Sequence, residues 1–476
     1  MDRSSFDVTR CETVKTKVWP DQHQPSTRTA HLVGGFQLRY IIVMRPHHLT
    51  HLLWILLLIA GGIPTASDAE DWPHWRGLHR NGTTSESSHY KGGSWPAAKP
   101  AWSIQAGAGG SGVIVIGNRL YTMGWKDDQD HILCIDTGSG TTIWKQSYRC
   151  PPYGRESEGD KGIYSGPSSC PSYDQQTGYL YTLSTDGDLS CWNTKAEGRP
   201  VWKVNFYDAY QVPKRPKVGR RQLRDYGYTT APLVHGDMVI VEVGDDEGNL
   251  MGFSKKTGER LWVSQSKDPA GHTGGLVPIV VEGIPCVAVL TIRNLLVARL
   301  DGGQEGKTVA EFPWVTDFAN NVATPAVLEN SIIITSEYNQ YATTRIDVTL
   351  SGMKQVWKQP YASGVCPPVI YNGHVYWCWR GVYCLNFKTG KPVWRGGVFG
   401  DTASCIVTSD GQLVIWGRRG DLVLAETADR SPQKYTELSR QKDLMENDAW
   451  PHIVLSGGQL YCKDRDGNMK CFRLKP

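Results

Sequence analysis

Six basic residues crowd the stretch from 214 to 224: Lys214, Arg215, Lys217, Arg220, Arg221 and Arg224. Tyr207, Tyr210, Tyr226 and Tyr228 flank them, and an earlier stretch mixes Tyr153, Arg155, Glu156, Glu158, Asp160, Lys161 and Tyr164. Tyr and Arg are the side chains enriched where partners dock. Clustered cations of this kind suit an anionic glycan, a phosphate-bearing envelope component or an acidic protein face. The candidate ligand-binding residues are therefore Tyr153, Arg155, Lys161, Tyr164, Lys214, Arg215, Arg220, Arg221, Arg224 and Tyr226. A solvated loop surface is the plain alternative reading of the same charges.

Other chemistry has less support. Asp245-Asp-Glu-Gly-Asn249 and Asp464-Arg-Asp-Gly-Asn468 are acidic, as are Asp186-Gly-Asp188 and Arg418-Arg-Gly-Asp421 in part. Asp, Asn and Gly are also what tight turns require, and neither longer cluster has the downstream glutamate of a calcium loop. Gly107-Ala-Gly-Gly-Ser-Gly112 matches a dinucleotide fingerprint, but the strand-like Val113-Ile-Val-Ile follows where a helix is needed. The sequence shows no His-Glu-x-x-His, Gly-x-Ser-x-Gly or phosphate-loop pattern. No catalytic residue and no metal set is expected.

The elements that must carry these residues announce themselves by repetition. Ile132-Leu-Cys-Ile-Asp-Thr-Gly leads to Trp144, and related phrases close at Trp262 and Trp394. The closing aromatics are Trp102, Trp144, Trp202, Trp262, Trp314, Trp357 and Trp394, with Tyr435 in the same place of a seventh repeat. Their spacing brackets the roughly 40–50-residue period of propeller blades. Each repeat reads as four short alternating strands separated by Gly, Asn and Asp, the signature of hairpins. A last repeat, from Trp450 to Phe472, has three strands, and Lys99-Pro-Ala-Trp102-Ser-Ile supplies a fourth. An all-β, eight-bladed propeller of four-stranded antiparallel blades follows, closed by the N-terminal strand completing the last blade. These seven Trp side chains are expected to dock blade against blade, each removing roughly 150–250 Å² from water.

Cys134, Cys191, Cys384 and Cys471 occupy one slot of the repeat, where Gly252 and Ala425 also occur, so a small residue under close packing is expected there. Disulfides elsewhere, such as Cys150 with Cys170, stay open. Two connections are long, Gln146–Gly166 and Asn205–Thr229. In a propeller, connections between blades share a face with the second-to-third-strand turns, so both should rise side by side over the central channel.

The phrase small-x-Asp-x-x-Thr-Gly-x-x-x-Trp resembles the repeat of pyrroloquinoline-quinone (PQQ)-type propellers, a superfamily that includes BamB-like scaffold proteins and quinoprotein alcohol dehydrogenases. Asp71-Trp-Pro-His-Trp-Arg-Gly77 with Arg80-Asn-Gly82 resembles exported PQQ-like repeat proteins. The dehydrogenase resemblance would imply a quinone clamped by two adjacent, disulfide-bonded Cys over a Trp, with a calcium beside it. This chain has no Cys-Cys pair and no Cys-x-x-Cys-His haem motif. Where the resembling family carries Trp-Gly-Tyr, this chain has Tyr226-Gly-Tyr228.

Leu52 to Ala60 is an apolar run behind Arg45, with a small-x-small site at Ser67-Asp68-Ala69. This is the layout of a secretory signal over about residues 44–69, too short in its apolar core for a bilayer. Met44 sits where such a signal begins, so residues 1–43 are expected to be a mis-called upstream start. The expected organisation is an upstream extension and signal at 1–69, an irregular segment at 70–98 and a propeller at 99–476. Net charge of +4 gives no case for nucleic acid. The combined expectation is a periplasmic or secreted, monomeric, non-catalytic binding or scaffold propeller of the cell envelope. It has no membrane span, needs no cofactor and meets an envelope protein or anionic glycan at its top face. A PQQ- and calcium-dependent alcohol or sugar dehydrogenase with a divergent cofactor site is the alternative.

Overall fold

Alternating apolar residues and turn glycines produce eight four-stranded antiparallel sheets arranged as a β-propeller. The computed structural model describes residues 70–97, 99–152, 154–155, 166–213, 226–317 and 319–474. Blades 1 to 7 occupy 113–149, 172–205, 233–263, 277–313, 326–359, 369–396 and 403–441. Blade 8 combines 454–473 with Trp102–Gln105, whose register sets Trp102 opposite Cys471. The first described strand therefore closes the ring and covers what would otherwise be an open sheet edge.

The docking rule is visible atom by atom. Trp102, Trp144, Trp202, Trp262, Trp357 and Trp394 lie on the third-to-fourth-strand turn of the following blade, where for the first five a glycine leaves room. Trp102, Trp144, Trp202, Trp262 and Trp357 pack on Gly140, Gly198, Gly258, Gly306 and Gly390, where a Cβ would come within 2.6–2.9 Å of the ring. The indole N–H of Trp102 donates to the Thr137 carbonyl at 2.8 Å, that of Trp357 to Phe387 at 2.9 Å and that of Trp394 to Ser431 at 3.0 Å. The small slot has its cause in the same register. Cys134, Cys191, Gly252, Cys384 and Cys471 stand directly across from Trp144, Trp202, Trp262, Trp394 and Trp102.

Two expectations need correction, and one question left open is answered. In blade 4 it is Ala310, opposite Val297 at the bulge, that holds the docking position. Trp314 lies beyond the strand, buried, with Lys358 above its ring at 4.9 Å. Blade 5 has only a tight Thr349–Gly352 turn there, so it offers no glycine shelf for a Trp to use. In blade 7 the docking position is Ser439, opposite Leu424 rather than Ala425, and Tyr435 packs back on Trp394, 5.9 Å between centroids. Blade 8 is interrupted between its third and fourth strands, so no turn exists there to receive an indole. Trp95 of the N-terminal segment takes the place instead: its backbone N–H donates to Ser439 Oγ at 2.8 Å and its indole is buried. Lastly, the Cys150–Cys170 pair is not formed. All eleven described cysteines are buried free thiols, consistent with small apolar filling.

Residues 70–97 plug the ring from one end. Trp72 bridges Val115 in blade 1, the Pro73 carbonyl accepts from Tyr173 N in blade 2, and Thr83 bridges Val407 in blade 7. Arg76 donates to the Pro325 and Pro368 carbonyls of blades 5 and 6, and Arg80 to Pro232 of blade 3. Glu86 accepts from Gly457 N and Gly458 N in blade 8. Glu86, like Asp71 at Gly117 N, meets a first-to-second-strand turn, which fixes the plugged end as the bottom face. Among the described residues no helix is long and apolar enough to cross a membrane.

Candidate functional site

With the bottom closed, the channel opens only upward among the described residues, into a cavity of about 810 Å³ on the top face. Its floor is Trp75, lifted by the plug to the level where the inner strands begin. The indole N–H donates to Thr324 Oγ1 at 2.9 Å, and the ring meets His452 edge-on at 5.0 Å. Gly275 leaves room for it: a Cβ there would lie 3.0 Å from the indole.

The walls come from inter-blade connections and second-to-third-strand turns. A short parallel pair, His272–Thr273 with Asn320–Asn321, orders one side. His272 is fixed as a tautomer: Nδ1 meets Asn320 Oδ1 at 2.6 Å while Nε2 accepts from Tyr226 N at 2.9 Å. Thr273 is held by the buried Glu242 carboxylate, which also accepts from Thr230 at 2.9 Å and Asn249 at 3.0 Å. Opposite, left-handed Arg380 pairs with Glu337 at 3.1 Å and Asp401 at 2.5 Å. Burial raises the Glu337 carboxyl above its ordinary value, with Arg380 opposing. Arg465 stacks over Trp450 at 4.2 Å and lies 4.0 Å from Asp448. Arg418 and Arg419 stand exposed at the rim.

Burial, the largest cause, lowers the His452 imidazole to about 4, partly offset by its hydrogen bond with the Ile453 carbonyl. The unfolded side chain, near 6.5, takes up a proton first, so the buried neutral ring costs stability as pH falls from about 6.5 to 4. Buried His74 shifts the same way, whereas burial raises the Asp130 carboxyl to about 7, which works in the opposite direction. The contribution of His452 is therefore read as a difference. Wild type should lose on the order of 2–3 kcal/mol relative to His452→Gln between pH 7 and pH 4.5. Denaturant melts at both pH values measure it, and a difference independent of pH contradicts it.

The sequence-selected residues fall in several places. Tyr226 lines the cavity and packs on His272, 4.3 Å between ring centroids. Arg155 is held by two buried carboxylates, Asp186 at 3.0 Å and Asp188, and so braces blade 2. Tyr153, Lys161, Tyr164, Lys214, Arg215, Arg220, Arg221 and Arg224 lie outside the described residues. The connection after blade 1 starts later than expected, because its fourth strand runs to Arg149. The acidic stretches behave as turns: Asp464 accepts from the backbone and side-chain nitrogens of Asn468, both at 2.8 Å. Sequence reading missed Trp75, Trp379, Arg380, Trp450, His452 and Arg465. Trp75 lay in the Asp71–Gly77 phrase, Trp450 at the start of the last repeat, and Arg465 and Arg418 inside turns noted for their acidic neighbours, but nothing in those patterns marked them as site residues.

Comparison with known proteins places this geometry. The family model described as "Outer membrane protein assembly factor BamB" matches residues 128–396. No curated protein matches the sequence. Among solved structures, BamB from Moraxella catarrhalis is similar at 12% identity and a TM-score of 0.54, over 79% of this chain and 99% of that one. A europium-containing methanol dehydrogenase is similar at 12% and 0.57, over 84% and 89%. Quinohemoprotein alcohol dehydrogenase from Comamonas testosteroni is similar at 13% and 0.55, over 85% and 80%. Identities this low establish a shared fold and nothing of activity.

Proposed function

The chain belongs to the family of the outer membrane protein assembly factor BamB, and on that premise we propose that it is an exported, non-catalytic binding and scaffold propeller of the cell envelope. Its top face holds the partner, an envelope protein or a glycan. One observation supports this reading: the N-terminal plug leaves a polar, top-facing cavity whose charged groups pair with one another, Arg380 with Glu337 and Asp401 and Arg465 near Asp448. The signal layout over residues 44–69 supports export.

Three features of the described cavity support this reading over a quinone- and calcium-dependent one. Glu337 and Asp401 are both spent on Arg380, and among the described residues no three His, Cys, Asp or Glu gather as a cation site. Among the same residues Cys170 is the one cysteine lining the cavity, a buried free thiol, and a single thiol cannot form the sulfur clamp.

Capture from envelope extract by immobilised protein tests the reading. The double variant Arg418→Ala/Arg419→Ala, exposed at the rim, should reduce capture about fivefold while leaving the melting temperature unchanged, as expected for surface substitutions within ±0.5 kcal/mol. Full capture by the variant would remove the top face from consideration.

A further inference from the structure

We propose that the blind top-face cavity binds a neutral sugar unit, the end of a glycan chain; this rests on the reading that the top face binds rather than transforms its ligand.

Enclosure comes first. Trp75 closes the floor, so the cavity accepts the end of a ligand and not a chain passing through. An extended peptide segment, which enters and leaves, is poorly matched to such a bowl. Charge comes second. The lining carries Arg380, Arg418, Arg419 and Arg465 against Asp317, Glu337, Asp401, Asp443 and Asp448. Among the described lining residues cations and carboxylates nearly balance, with the acidic side one ahead, so these walls present no strong excess of either sign. The six basic residues behind the expectation of an anionic glycan, at 214–224, lie outside the described residues, so charged glycans enter the test as the competing outcome.

The polar atoms are specific. His452 is 4% exposed, its Nδ1 lies 3.0 Å from the Ile453 carbonyl, and its Nε2 has no hydrogen-bond partner among the described residues. With Nδ1–H committed to that carbonyl, Nε2 is left as a lone-pair acceptor that is itself almost wholly covered within the cavity lining, so a ligand hydroxyl reaches it only with a small shift of the ring. A buried acceptor left unmet is costly, and a donor hydroxyl relieves that cost. Around the same wall, guanidinium and carboxylate alternate as Arg380 with Glu337 and Asp401, and Arg465 with Asp448. Vicinal hydroxyls, each both donor and acceptor, can bridge such pairs without displacing them. The partly exposed indole of Trp75 offers an apolar surface for the C–H face of a sugar ring. A volume of about 810 Å³ is within the usual range of ligand sites.

The test applies the purified full-length protein to an array of neutral gluco-, manno-, galacto- and N-acetylated oligosaccharides, beside sulfated and uronate ones. Saturable binding to neutral members is expected. His452→Phe, which keeps an aromatic ring against Trp75 but removes the acceptor, should weaken it about tenfold. Trp450→Ala, at a partly exposed position, should weaken it similarly, so the conclusion does not hang on one variant folding well. A blank array, binding confined to sulfated and uronate members, or full affinity in both variants would overturn the proposal. A blank array with envelope protein still captured through Arg418 and Arg419 would sink the sugar site alone. Loss of both would sink the scaffold reading as well.

Discussion

Trp102→Ala lowers folding stability by about 3–5 kcal/mol, the cost of truncating a buried indole. Against a total of roughly 5–15 kcal/mol, this is a large share to rest on one side chain. Trp102 does two closing jobs at once: it pairs with Cys471 to finish blade 8, and it docks on Gly140 with its N–H on the Thr137 carbonyl of blade 1. Removing the indole opens a cavity between blades 8 and 1 and takes away the hydrogen bond to Thr137, at the one junction where two distant parts of the chain close the ring. Urea unfolding of the variant beside Ser103→Ala, a neighbour on the exposed side of the same strand, gives the comparison. A Trp102→Ala loss below about 1 kcal/mol would show that the ring is not held there.

Arg76→Met destabilises by a similar amount, about 3–5 kcal/mol, for a different reason. Arg76 is 1% exposed, and burial lowers its guanidinium only to about 10, so it stays charged at neutral pH. It donates to the carbonyls of Asn81 and Pro325, each at 3.0 Å, and of Pro368. Methionine fills much of the volume but leaves three carbonyls without donors, the asymmetry that makes breaking a buried polar set costly. The plug should then detach before the blades do. Limited proteolysis should cut within residues 70–97 first, while circular dichroism of the sheets is retained. Equal protease resistance and an unchanged unfolding midpoint would contradict the plug account.

Why some of this was legible in the sequence, and some not, follows from the range of the forces. Strands and hairpins are local, so alternation and turn residues reveal them, and the recurrent Thr-Gly and Trp reveal the ring because most docking Trp residues meet a glycine one repeat away. The exceptions occur where that partner is missing. Ala310 and Ser439 replace Trp because the following blades lack the receiving turn, a fact about the neighbour and not about the repeat itself. Trp314 and Tyr435 fit the spacing by count but not by register. The plug is opaque for another reason: Trp72, Trp75, Arg76 and Glu86 follow no period, and their segment's partners lie up to 386 residues away, as with the Glu70 carbonyl and Ser456. The candidate site inherits that opacity. His452 and Trp450 are single residues in connections, and only the closed ring brings them to Trp75.

The central claim is that the top-face cavity binds without quinone chemistry, and the most direct measurement is thermal unfolding of the purified protein with PQQ and calcium, run alongside dye-linked alcohol oxidation. A cofactor at about 100 times its dissociation constant would stabilise the fold by about 2.7 kcal/mol. The account predicts an unshifted melting curve and no dye reduction. A clear upward shift accompanied by turnover would contradict it.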